Sequence, residues 1–143
     1  MTPGRRRLLV IAMWLGVIIT PAYWILWYAA RSSVASKTTS AYYEFENAFP
    51  LADGWLVVAL IAALVALRHG WDTAPLYLAA AGGAAAYLFC MDVLYDIENK
   101  IWWTTGAGGW IELVINVLTL ILAELVMSAA WSLYRLKSKT TGA

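Results

Sequence analysis

Four apolar runs dominate this chain and restrict what it can fold into: residues 8–30, 51–67, 76 to about 95, and 110–134. A bilayer's hydrocarbon core takes about 20 helical residues to cross. The second run is short for that length and the others meet it. A segment in lipid must satisfy its own backbone hydrogen bonds, so each run is predicted to be a helix. Only 13% of the residues are charged, against roughly a quarter in a soluble domain. The expected fold is an all-α integral membrane protein: one four-transmembrane-helix bundle over residues 1–143, multi-pass in the plasma membrane. The bilayer is its first expected partner, and no nucleic-acid partner is expected.

The opening Gly-Arg-Arg-Arg followed by an apolar stretch has the shape of a secretory signal. The run continues through Pro21, Trp24 and Trp27, too far for a cleaved segment, so a retained first span is expected. Basic residues then set the orientation. Arg5, Arg6, Arg7, Arg68, Arg135, Lys137 and Lys139 fall on one side, and Arg31, Lys37 and Lys100 on the other. Both termini and the tight turn around Arg68 are therefore predicted to be cytoplasmic. The two longer connections face out.

On this topology Glu44, Glu46, Asp53, Asp92, Asp96, Glu98 and Glu112 gather in or near the outer loops. An electronegative outer face concentrates cations and disfavours anions. Pro50 and Pro75 suit the first turns of helices, where a missing N–H costs nothing. Most of the nine tryptophans fall near span ends, as interface tryptophans do. In the third span, Ala79/Gly83 and Gly82/Ala86 are spaced to let backbones approach, so that helix is expected at the centre of the bundle. The lone cysteine, Cys90, has no partner for an internal disulfide and reads as packed or membrane-facing.

The outer loops carry a repeated phrase. Tyr43-Glu44-Phe45-Glu46-Asn47 aligns with Tyr95-Asp96-Ile97-Glu98-Asn99, and each copy is followed by Gly-Trp opening the next span. Two hairpins, 1–68 and 69–143, would then be parallel repeats about an axis along the membrane normal. Asp92, Tyr95, Asp96 and Asn99 stand at i, i+3, i+4 and i+7, one helical face. Ser40, Tyr43, Glu44 and Asn47 take the corresponding places in the first copy. Glu46 and Glu98 lie off that face in a helix, although a loop can turn them back. The expectation is that Glu44 and Asp96 face each other across the axis.

Converging carboxylates, amides and rings suggest several chemistries. A divalent cation accepts carboxylate and amide oxygens, but the spacing matches no metal loop and the only histidine, His69, is at the other end. An organic cation or cationic amphiphile would gain from the aromatic faces. Crowded carboxyls also support acid/base chemistry, with Asp92, Asp96 or Glu44 acting on a lipid or isoprenoid. A second feature is Glu124, near the middle of the fourth run, where a carboxylate is costly and marks function by default. Asn116, two turns above it, Thr119 and Glu112 complete a possible polar stripe inward. No nucleophile elbow, zinc motif or phosphate loop is present, and no cofactor is expected. The first expectation is a non-catalytic binding module with an outward acidic-aromatic pocket for a cation, a cationic amphiphile or a partner protein. The alternatives are a small transporter or channel subunit using Glu124, acting as a homo-oligomer or in a larger membrane complex, and a membrane enzyme.

Overall fold

The computed structural model describes residues 1–105 and 107–141, with side chains described through residue 138. Of the described residues 88% are helical, and none is in a strand. Five α-helices follow one another: α1 (Pro3–Ala30), α2 (Ser40–Glu46), α3 (Phe49–His69), α4 (Ala74–Asn99) and α5 (Ala107–Thr141). Short 3-10 turns at Arg31–Ser33 and Ile101–Trp103 lead out of α1 and α4. Four helical segments are long and apolar enough to cross a membrane, with α2 and α3 together counted as one of them.

The helices are longer than the apolar runs. Thr2 caps α1, its hydroxyl accepting from the Arg5 N–H at 3.4 Å, and Pro3 stands at the first position. The arginines at 5–7 therefore belong to the helix. Hydropathy marks only the lipid-compatible part of a helix, and local caps set its ends. Pro50 and Pro75 stand in the first turns of α3 and α4.

The four long helices form an antiparallel ring in the order α1, α3, α4, α5. Trp24 meets Asp53 at one end of the α1–α3 pair and Arg6 meets the Leu67 carbonyl at the other. The pair α4–α5 is joined by Asn116 to Asp96 near one end and by Gly82 against Met127 towards the other. Arg5 donates to the Ser128 hydroxyl, closing α1 onto α5. Leu9, Met13, Leu60, Leu78 and Val126 fill the core, while Ile18, Ile25, Leu76 and Leu118 face out. The outward surface is thus apolar over much of its height, as a lipid-facing surface is.

Small residues set the closeness of α4 and α5. A Cβ on Gly82 would stand 2.5 Å from Met127 Cγ and 3.1 Å from its backbone nitrogen. Gly83, next in the same block, faces open space. Cys90 is exposed on the outside of α4.

Candidate functional site at the acidic end of the bundle

The end of the bundle that holds the two acidic-aromatic phrases is capped by aromatic packing. Trp27 on α1 is fully buried and contacts Tyr42 and Tyr43, with ring centroids 6.0 and 6.1 Å apart. Phe45 of the first phrase stacks on Tyr95 of the second, centroids 3.6 Å apart and nearly parallel. The two phrases do meet, through rings. Arg31 lies 5.1 Å over Trp27 and 4.9 Å over Tyr43, so the nearest arginine is engaged by aromatic faces.

Beneath this cap lies a cluster of carboxylates. Glu46 from α2, Asp92 from α4 and Glu112 from α5 each bring an oxygen within 4.8 Å of the others. Glu46 and Glu112 are 6% and 3% exposed, and Asp92 is half-buried. None of the three makes an ion pair with a described lysine, arginine or histidine. Asp96 lies close enough to interact electrostatically with all three.

The cluster is positioned by a second layer of hydrogen bonds. The Tyr42 hydroxyl donates to Glu112 Oε1 at 2.8 Å and accepts from the Ser36 N–H at 3.3 Å. The Ser36 hydroxyl donates to the same carboxylate at 3.5 Å. Ser36 reaches it because the loop presses on the first turn of α5, where a Cβ on Gly108 would come within 2.6 Å of Ser36 Cα. One turn along α5, Asn116 Nδ2 donates to Asp96 Oδ2 at 2.7 Å. On the α1 side Trp24 Nε1 donates to Asp53 at 2.8 Å and Trp27 Nε1 to Asn47 Oδ1 at 3.2 Å.

Three buried polar atoms among the described residues lack a hydrogen-bond partner: the Tyr23 hydroxyl, Asn116 Oδ1 and, on the Asp96 side, the donor Trp102 Nε1. Tyr23 lies within the field of Glu112, Glu46 and Asp92. Unpaired buried polar atoms are uncommon and call for a physical reason.

Several residues expected at the site stand elsewhere. Glu44 and Glu98 are exposed, and Glu44 does not face Asp96, which is buried. The inward face of the first phrase is Tyr42, Phe45, Glu46 and Phe49, two residues out of step with the expected Ser40, Tyr43, Glu44 and Asn47. Tyr43 is half-buried against Arg31, and Asn47 is tied to Trp27. In the second phrase the expected face holds: Asp92, Tyr95, Asp96 and Asn99 point inward and Ile97 and Glu98 outward.

Glu124 does not continue a polar stripe. Glu112 and Asn116 are buried and Thr119 half-buried, but Glu124 is exposed. At about 100° per residue it lies about 120° round the helix from Glu112. It stands at the midpoint of α5, one turn from Ser128, which accepts from Arg5. Grooves of about 1020 Å³ between α3 and α4, and about 260 Å³ beside Thr20 and Pro21, are apolar and carry none of the acids.

Three ionised carboxylates this close are unstable by themselves. At 4.8 Å and an effective dielectric constant of about 20, each pair repels by roughly 3 kcal/mol. The arrangement calls for positive charge, brought by protons or by a bound cation. No family model, curated protein or solved structure matches the chain.

Proposed function

We propose that the chain is a four-span protein of the plasma membrane with both termini in the cytoplasm, and that the outward end of its bundle is a non-catalytic cation-binding module. Glu46, Asp92 and Glu112 are the acids that would hold the cation. The observation that carries this reading is their convergence within 4.8 Å with no described basic partner. Seven basic residues against three at the two ends support the orientation. Two similarly oriented hairpins, 1–68 and 69–143, would each supply part of the site: Glu46 from the first, Asp92 and Glu112 from the second.

The test is a thermal-shift panel on the purified chain in detergent, covering calcium, magnesium, choline and tetraethylammonium. A ligand that binds only the folded state raises the apparent melting temperature by mass action. At least one cation is expected to stabilise the wild type and to lose that effect in Glu112→Gln. A flat response across the panel sinks the reading.

A further inference from the structure

We propose that the cation is a calcium-sized, oxygen-seeking divalent metal ion, ligated by one oxygen each from Glu46, Asp92 and Glu112. This deepens the cation-binding reading and rests on it. Three oxygens within 4.8 Å of one another leave a centre at most about 2.8 Å from each in a regular triangle, a few tenths beyond calcium's 2.3–2.6 Å. Magnesium, at about 2.0–2.1 Å, needs a tighter, near-ideal octahedron and gives up its water reluctantly.

The donor set is oxygen only. His69 lies at the far end of α3 and Cys90 is exposed outside α4, so neither nitrogen nor sulfur enters. Carboxylates with neutral oxygens favour calcium, magnesium or manganese over zinc or copper.

The independent observation is the state of the neutral oxygens. Asn116 is 2% exposed, and its Oδ1 is buried without a donor, while its Nδ2 is fixed by Asp96. It stands one turn below Glu112 on the same helical face. The Tyr23 hydroxyl, equally unpartnered, lies in the field of the same acids. An amide oxygen and a phenol oxygen beside three carboxylates are what a metal ion, or the water it carries, would satisfy. Tyr42, Ser36 and Asp96 then act as the outer layer that holds the ligands in place.

The surrounding rings provide a readout. Terbium(III) is a hard ion of similar coordination, and Tyr23, Tyr42 and Trp27 can sensitise its luminescence. The full chain, stripped with chelator in detergent, is titrated with terbium and then with calcium or magnesium. The expectation is sensitised emission displaced by calcium at least about tenfold more readily than by magnesium. Glu112→Gln and, separately, Asp92→Asn each weaken terbium binding by about tenfold or more, and Glu44→Gln leaves it unchanged. Calcium-dependent melting of the wild type gives a second measure if one variant does not fold. Emission unaffected by both variants, or absent while calcium leaves the melting temperature unmoved, overturns the metal assignment. If choline or tetraethylammonium still stabilises in a Glu112-dependent way, only the metal is lost. If no cation does, the broader reading falls with it.

Discussion

The Tyr42 hydroxyl is fully committed, donating to Glu112 and accepting from the Ser36 N–H. Removing it takes away the shorter of the two hydrogen bonds to the buried Glu112 carboxyl and leaves the Ser36 N–H without its acceptor. Tyr42→Phe is expected to destabilise the folded chain by about 1.5–3 kcal/mol in denaturant unfolding. Glu44→Gln, on an exposed acid, should stay within about 0.5 kcal/mol of wild type. Sequence alignment ranked these two residues the other way, because Glu44 pairs with Asp96 in the repeat and Tyr42 pairs with nothing. The legible signal was the ring spacing: Tyr42, Phe45 and Phe49 recur at i, i+3 and i+7 and mark the face that is buried. A repeated string reports common composition. A helical period reports which way side chains point. Glu124 teaches the same lesson, since its depth along the apolar run was readable but its direction around the helix separates it from Asn116. Glu124→Gln is accordingly expected to leave cation affinity unchanged in the thermal-shift assay.

Each of the four long helices was readable as an element from its apolar run, although the second run is short for a span. Their ends were not, because capping by Thr2 and the continuation of α5 into its basic tail depend on local hydrogen bonds rather than hydropathy. The small-residue block of α4 was also legible, but which of its members meets a neighbour was not. Gly82 faces Met127 and Gly83 faces open space. Gly82→Ala would push a methyl group into Met127 and, behind it, the α5 backbone. The expected cost is about 1–3 kcal/mol, measured by unfolding in detergent. Met127→Ala in the same chain should recover part of that loss, since the flexible side chain gives the nearer contact. Gly83→Ala should be neutral or mildly stabilising, as alanine is the better helix former. A full cost at Gly83 would contradict an α4 whose Gly83 faces away from its neighbours.

At the scale of the whole molecule the charges are divided between two ends. Basic side chains gather where Arg5, Arg6 and Lys137 make contacts across helices, and buried acids gather at the other end. The Lys137–Asp72 pair is on the basic end, where the lysine holds the exposed Asp72 carboxyl below its usual range. The proposed cytoplasmic placement of the termini predicts that Thr2→Cys, in a Cys90→Ala background, is shielded from a membrane-impermeant thiol reagent in intact cells. Thr105→Cys should react. Metal ligation requires deprotonated carboxylates, so cation affinity should rise with pH and fall as the cluster takes up protons. That dependence should vanish, along with the binding, in Glu112→Gln. The most direct measurement is an experimental structure of the full chain with barium or manganese, read by anomalous scattering. One peak bridging Glu46, Asp92 and Glu112 at ligand distance is expected. An empty site with the three carboxylates turned apart would contradict it.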